Sequence, residues 1–264
     1  MSYLNIFKRV GKTATHDRNA YWDYQRKIGH YYLENFVLPI ITSGKVLDIG
    51  CAEGGVLSVF HEAGFDCLGI ELNEQRVEFA REKYNGQIQF FHENIESFRT
   101  DEPLDLVIMF DVIEHVFHKD VALGNIRSLL KPDGRLIVTF PPFRSAFGGH
   151  QQILSSFLKF IPYWHLLPRN IYVKLYEKFE SDRVALGKEL YDTGITIKEF
   201  KRLIKEAGLS VEKQVNYWIR PRQSFRFGMA IKQNKIPIFE EFLTTGVTFV
   251  LQPAQVEPKK SKDV

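Results

Sequence analysis

Two carboxylates close two short apolar runs. Asp48 lies in "KVLDIG" and Glu71 in "CLGIEL", and a turn of small residues, Gly50-Cys51-Ala52-Glu53-Gly54-Gly55, follows the first. An apolar run, a glycine turn and then a helix present backbone N–H groups and a helix N-terminus to a ligand. Further on, "DVIEHV" carries Asp111, Glu114 and His115, and "PPFRSAFGGHQQ" carries His150. Histidine can take a proton at neutral pH, and a phenol or alcohol acceptor needs one removed. His115 and His150 are therefore the candidate bases. The competing readings are a packing role for His115 and a loop or helix-capping role for His150. Asp111, Glu114 and His115 also stand at i, i+3 and i+4, one face of a helix. With His150 they offer two carboxylates and two imidazoles, a reasonable shell for a divalent ion. The expectation is no metal, with those four residues as the alternative site.

Gly50, Ala52 and Gly55 have G-x-G-x-x-G spacing with alanine in the middle. Dinucleotides and S-adenosylmethionine both use such a turn. In a dinucleotide site the middle glycine lets the backbone approach a pyrophosphate. Ala52 adds a methyl group there, and Asp48 would face a dianion with like charge. A sulfonium ligand with an ammonium group reverses that sign. Glu71, at the end of the next strand, is placed to grip ribose hydroxyls.

The elements that must hold these residues alternate. After a helix over 17–40, limited by Pro39, come strand "KVLDIG", helix "GGVLSVFHEAG", strand "CLGIEL" and helix "NEQRVEFAREKY", the last capped by Asn73. Strands "IQFF", "LDLVIMFD" and "RLIVTF" follow, the last after a helix capped by Asp120 and a "KPDG" turn. Continuously apolar strands alternating with helices predict a parallel sheet covered on both faces. Between Pro141 and Gly194 the pattern breaks. There "ILSSFLKFIPYWHLLP" places Ile153, Leu154, Phe157, Leu158 and Ile161 on a broad apolar face, read as a lid over a hydrophobic substrate. A helix lying on a membrane and a cap packed on the N-terminal helix are the alternatives. Alternation resumes at "TIKEFKRLIKEAG", with Thr196 and Glu199 as a capping box. Strands "LSVEKQVNYWI" and "GVTFVL" end the sheet.

Composition narrows the classes. The chain has 264 residues, 44% hydrophobic and 22 of them Phe, which suits one decorated domain with an aromatic core or cavity. A net charge of +3 is too weak to argue for nucleic acid. Two cysteines, Cys51 and Cys67, are too few for a disulfide scaffold and favour a cytoplasmic setting. No run reaches the roughly 20 apolar residues of a membrane span, and no secretory signal is visible at the N-terminus.

The ordered set of segments resembles class I S-adenosylmethionine-dependent methyltransferases, the broad group that includes the ubiquinone-pathway O-methyltransferases. "VLDIGCAEGG" resembles that family's first motif, with Ala52 where glycine is usual, and "IELN" its acidic second motif. "FFHENIESF" occupies the adenine-contacting segment, with Asn94 in place of the usual Asp. "LDLVIMFDVIEHV" and "LLKPDGRLIVTFP" resemble the stretches around the fourth and fifth strands. The resemblance implies a Rossmann-like seven-stranded, mostly parallel sheet of order 3-2-1-4-5-7-6 with the last strand antiparallel, helices on both faces and an inserted helical cap after strand 5. It implies S-adenosylmethionine as cofactor, held by Asp48, Gly50, Cys51, Ala52, Gly54, Glu71, Leu72, Asn94, Ile95, Phe110 and Asp111. The Asp111, Glu114, His115 and His150 set resembles the metal site of small-RNA 2′-O-methyltransferases, with a shorter carboxylate at Asp111.

The expected organisation is one methyltransferase domain over 1–264. It comprises an N-terminal helical segment (1–43), a cofactor-binding core (44–142), a helical lid (143–195), the C-terminal part of the sheet (196–252) and a tail (253–264). The expected activity is methyl transfer to a small-molecule acceptor, on oxygen of a hydrophobic, aromatic, glycosidic or lipid-linked substrate. Expected partners include neither nucleic acid nor a stably inserted membrane, with peripheral membrane contact left open. The alternatives are a dinucleotide-dependent oxidoreductase and a non-catalytic protein that keeps the fold.

Overall fold

Five apolar strands build the frame. The computed structural model describes residues 17–236 and 239–254. In it β1 (Lys45–Ile49), β2 (Asp66–Glu71), β3 (Gln89–His92), β4 (Leu104–Phe110) and β5 (Leu130–Phe140) pair in parallel. β6 (Leu209–Ile219), β7 (Lys232–Asn234) and β8 (Gly246–Pro253) complete an eight-stranded sheet of order β3-β2-β1-β4-β5-β8-β6-β7. β8 runs antiparallel to both β5 and β6. The expected order of seven strands is therefore present, and β7 is an addition. It pairs antiparallel with β6 at the sheet edge. Its sequence, "KQN", has no apolar alternation to announce it.

Successive strand residues point to opposite faces, so each strand feeds two cores. On one face Leu106 and Ile108 pack with helices α1 (Arg18–Tyr32), α2 (Gly55–Glu62) and α3 (Glu74–Tyr84) through Ile28, Tyr32, Leu57, Phe60, Val77 and Ala80. On the other, Val107 and Met109 pack with α4 (Lys119–Leu129) and, beyond the insert, with a helix over Ile197–Glu206, through Leu123, Ile126, Phe200 and Leu203. The N-terminal helix ends in a π-helical turn, Leu33–Val37. Asn73 caps α3 as expected, its Oδ1 accepting from Arg76 N–H at 3.3 Å. Asp120 does not cap α4. The N-cap is His118, and Asp120 sits in the first turn, where a carboxylate still meets the positive end of the helix dipole. The "KPDG" turn is absorbed into β5, where pairing with β4 shifts register between Leu104 and Leu106.

Segment 143–195 is not one amphipathic helix. Three 3-10 turns, Gln151–Ile153, Phe157–Phe160 and Trp164–Leu166, precede α5 (Arg169–Phe179) and α6 (Val184–Thr193). Pro162 and Pro168 prevent a longer helix. Leu154, Leu158 and Trp164 form a small core of their own with Tyr172 and Tyr176. Phe157 and Phe160 are 54% and 73% exposed. α7 (Ile197–Glu206) starts on the Thr196 hydroxyl, and Glu241 accepts from the N–H groups of Ile197 and Lys198. Glu241 belongs to α9 (Glu240–Leu243), and α8 (Pro221–Phe227) lies between β6 and β7. The N-terminal stretch read for a signal and most of the expected tail lie outside the described residues.

Candidate active site

The turn after β1 is held from three sides. Gly50 has φ +75°, and a Cβ there would meet Val112 Cγ2 at 2.5 Å, so the position needs glycine. Gly50 and Cys51 donate to the carbonyl of Ile70 on the neighbouring strand. From α1, Gln25 donates to Cys51 O at 3.1 Å and accepts from Gly55 N–H at 3.3 Å. From α3, the Tyr84 hydroxyl donates to Gly54 O at 2.8 Å and accepts from Trp22 Nε1 at 2.6 Å. The Glu71 carboxylate accepts from Ala52 N–H at 3.1 Å and from Asn73 N–H at 2.9 Å. Both oxygens are thereby oriented, with lone pairs left for a ligand.

A cleft of about 860 Å³, counting solvent at its mouth, opens at the carboxyl ends of these strands. Nine of the expected residues line it: Gly50, Ala52, Glu71, Leu72, Asn94, Ile95, Phe110, Asp111 and His115. Asp48 instead lines a smaller cavity alongside, which shares Tyr21, Gly50, Phe110 and Arg222 with the cleft. Cys51 is buried, and its Sγ lies against Gly69 rather than in the cleft. Gly54 is the N-cap of α2 and does not line the cleft. Asn94 already accepts from Glu96 N–H at 3.0 Å through Oδ1, so its acceptor capacity is partly used.

The charges fit a cationic ligand. Burial, reinforced by nearby Glu71, pushes the Asp48 carboxyl well above the usual carboxylate range. Two buried acids side by side are relieved by a positive group between them. S-adenosylmethionine brings an ammonium and a sulfonium, so the residues present fit it.

Asp111 is committed elsewhere. Its carboxylate accepts from Arg220 Nη1 at 2.9 Å on both oxygens and from Thr139 Oγ1 at 3.2 Å, and lies 3.1 Å from Arg222 Nη1. Burial raises this acid, but the two arginines outweigh it and the net shift is downward. The expected four-residue cluster therefore contracts to three. Glu114, His115 and His150 each place a ligand atom within 4.8 Å of the others. The two imidazole centroids are 4.8 Å apart. Among the described residues, neither Glu114 oxygen nor Nε2 of His150 has a hydrogen-bond partner, and all three atoms are buried. Glu114 Oε1 lies 3.8 Å from His150 Nε2 and 4.0 Å from His115 Nε2. Burial, with Asp111 adding to it, pushes Glu114 up to about 8. Burial brings His115 down to about 4, and burial with His115 as neighbour lowers His150 well below its usual value.

A second cavity, about 1340 Å³ on the same count, continues from the cleft. Asp111, His115 and Arg222 line both. Glu114, His150, Ser145, Phe147, Lys159, Phe160, Arg220 and Arg226 line the second one alone. Sequence reasoning missed Tyr21, Arg76, Arg220 and Arg222. Arg220 and Arg222 lie in no motif, and their partner Asp111 is far away in the chain order, whereas Arg76 pairs with Glu53. Backbone strain clusters here too. Ala52, Asp111 and His150 are three of the five described non-glycine residues with positive φ.

The comparisons with known proteins agree with this geometry. A family model described as "Methyltransferase domain" matches residues 21–214. The "Ubiquinone biosynthesis O-methyltransferase" of Rickettsia canadensis (strain McKiel) is 31% identical over 189 residues, covering 68% of this chain and 76% of the relative. The protein of the same name from Rhodopseudomonas palustris (strain HaA2) is 26% identical over 195 residues, covering 69% and 72%. Among solved structures, the plantazolicin methyltransferase BamL, in complex with a triazolic desmethylPZN analog and SAH, superposes with a TM-score of 0.59. It is 15% identical, with 95% of this chain and 90% of that one covered. A SAM-dependent methyltransferase from Thermotoga maritima superposes at 0.57 with 18% identity, covering 94% and 99%. The fold is that of a methyltransferase family. The chain belongs to the methyltransferase-domain family and is an S-adenosylmethionine-dependent methyltransferase of small-molecule acceptors.

Proposed function

We propose that the acceptor sits in the second cavity and is methylated on oxygen, with the His115–His150 pair receiving the hydroxyl proton. The observation that carries this reading is the shared wall: Asp111 and His115, with Arg222, border both cavities. A nucleophile in one can therefore meet a methyl group held in the other. S-adenosylmethionine supplies a methyl group already activated on sulfur. The chain has to align and to exclude water. Glu71 presents an oriented carboxylate to ribose hydroxyls, and Asp48 favours the donor's ammonium. Burial keeps His115 and His150 neutral at pH 7 and weakens them as bases, while the Asp111 charge opposes that weakening. Glu114, protonated at pH 7 by the same burial, lies 3.8 Å from His150. The imidazole that takes the acceptor's proton becomes a cation near the Asp111 carboxylate, whose charge favours protonation of both rings.

Segment 143–195 acts as the lid. Phe147, Lys159 and Phe160 bring it to the cavity wall, which supports a hydrophobic or aromatic acceptor. Two free, buried cysteines support a cytoplasmic setting. Among the described residues no helix is long and apolar enough to cross a membrane. Liposome flotation separates the lid from the membrane-contact reading, since a lid gives no flotation. The proton role is tested with His115→Ala and His150→Ala against a panel of phenolic and aliphatic hydroxyl acceptors, scored by mass gain of one methyl group. Loss of general-base catalysis costs about 10²–10⁴-fold in kcat. Both variants keeping full kcat would remove the histidines from the chemistry.

A second reading rests on the orphaned Glu114 oxygens. Glu114, His115 and His150 fit a divalent ion in donor type and in spacing. Such an ion would orient the hydroxyl and lower its pKa, and the histidines would then be ligands. Activity after exhaustive EDTA treatment, with magnesium or manganese added back, decides between the two. Full activity in the chelated enzyme leaves the histidine base. Activity that returns only with metal replaces it.

A further inference from the structure

The acceptor cavity carries more positive charge than its acids can balance. Lys159, Arg220, Arg222 and Arg226 line it, against Asp111 and Glu114. Even with both acids ionised, cations outnumber anions four to two. Arg220 and Arg222 share Asp111, one carboxylate between two guanidinium groups. Arg220 Nε is buried and has no hydrogen-bond partner among the described residues. A buried donor left unpaired is costly, and a ligand oxygen would remove that cost. Lys159 and Arg226 have no carboxylate within ion-pair distance among the described residues. Each rests over an aromatic neighbour instead, Lys159 Nζ 4.9 Å from the Phe160 centroid and Arg226 Cζ 5.5 Å from that of Phe227. Arg222 and Arg226 stand at i and i+4 on α8, where like charges repel. The helix thus bears a repulsion that an anion at this wall would reverse. Phe147, Phe160 and Phe227 on the same wall are 45%, 73% and 63% exposed.

We propose that the acceptor is an amphiphilic anion. In this assignment its oxyanion, a phosphate or carboxylate, is held by Arg220 Nε and by Arg226 and Lys159 at the rim. Its apolar part lies on the three phenylalanines. This rests on the reading above that the second cavity is the acceptor site, and narrows the class of molecule it takes. A neutral phenol or alcohol uses the aromatic wall alone and leaves the cations unpaired. A cationic amine is repelled.

The test is calorimetry on the full chain with S-adenosylhomocysteine present, using octyl phosphate, 1-octanol and inorganic phosphate as probes below any micelle concentration. Octyl phosphate is expected to bind at least tenfold tighter than octanol and than inorganic phosphate. The double variant K159Q/R226Q, both positions at the rim rather than in a core, is expected to erase that advantage over octanol and leave affinity for S-adenosylhomocysteine unchanged. Equal binding of octyl phosphate and octanol overturns the proposal. So does an advantage that survives in the folded double variant. Tighter binding of inorganic phosphate than of octyl phosphate also overturns it, because the aromatic wall would then contribute nothing. The methyl-donor reading fails separately, through absence of S-adenosylhomocysteine binding to the wild type.

Discussion

Glu71 is fixed by two backbone N–H groups before any ligand arrives, so its loss acts on both the turn and the ligand. Glu71→Ala should weaken S-adenosylmethionine by at least tenfold in calorimetry, since a hydrogen bond to a charged acceptor contributes roughly 1.5–3 kcal/mol. Unchanged affinity in the folded variant removes Glu71 from the cofactor site. Glu114 gives a prediction in pH. Its pKa rises from an ordinary 4.5 to about 8 on folding. The folded state therefore holds a proton that the unfolded state has lost, and stability falls as pH rises from about 4.5 to about 8. Glu114→Gln has no such proton. In urea denaturation with EDTA present, the variant should gain on the wild type steadily across that window and level off above it. A constant difference across the window would mean that the buried acid is not shifted. Asp111→Ala strands two arginines, and breaking a buried ion pair by removing one partner costs about 3–5 kcal/mol. The same urea curves report it. This tie was not legible beforehand. Asp111 and Glu71 both follow an apolar strand, but the arginines that claim Asp111 are brought there only by the sheet's return strands. The placement of Glu71 at the cleft could be read because it depends on neighbours in its own β–α–β unit.

At the scale of elements, period and caps carried most of the reading. Asn73, Thr196 and the glycine turn announce themselves because each acts on backbone within a few residues. Asp120 misled because position one residue into a helix and position at its cap look alike in sequence. The insert misled for a different reason. Its apolar residues suggested one face, while two prolines cut the chain into turns that send alternate side chains inward and outward. Leu158 is 3% exposed in the insert's own core, and Phe157 is 54% exposed. Leu158→Ser should therefore destabilise the protein by an amount in the range of roughly 2–5 kcal/mol seen for core truncations. Phe157→Ser should stay within about 0.5 kcal/mol. Thermal melts of both variants check this, and comparable losses would place Phe157 in the core as well.

For the whole molecule, the sheet order sets the function. Strands β1, β2, β4 and β5 end along one edge, and the chain crosses between the two halves of the sheet there. That is where open α/β sheets bind ligands. The order of seven strands was legible because it follows from a resemblance spread over many segments. The eighth was not, because an edge hairpin of polar residues leaves no pattern. A ligand that binds only the folded state stabilises it by about 2.7 kcal/mol at a hundred times its dissociation constant. At that excess S-adenosylhomocysteine should raise the melting temperature by roughly 5–10 °C for a chain of this size. NAD should leave it unchanged, and a shift with NAD alone would reverse the assignment of the glycine turn.

The chain from Trp22 through Tyr84 to the carbonyl of Gly54 makes the glycine turn optically visible. The indole of Trp22 donates to Tyr84, and the cations of Lys83 and Arg26 lie 4.1 Å and 5.1 Å from its ring. Charges so close to an excited indole shift its emission wavelength and quench it to a degree set by their distance. Any settling of the turn around a ligand moves Tyr84, and with it the hydrogen bond that fixes the ring. Replacing Trp164 and Trp218 by Phe would leave Trp22 as the single tryptophan fluorophore among the three. Stopped-flow emission would then report, without a label, whether the turn moves when a ligand binds.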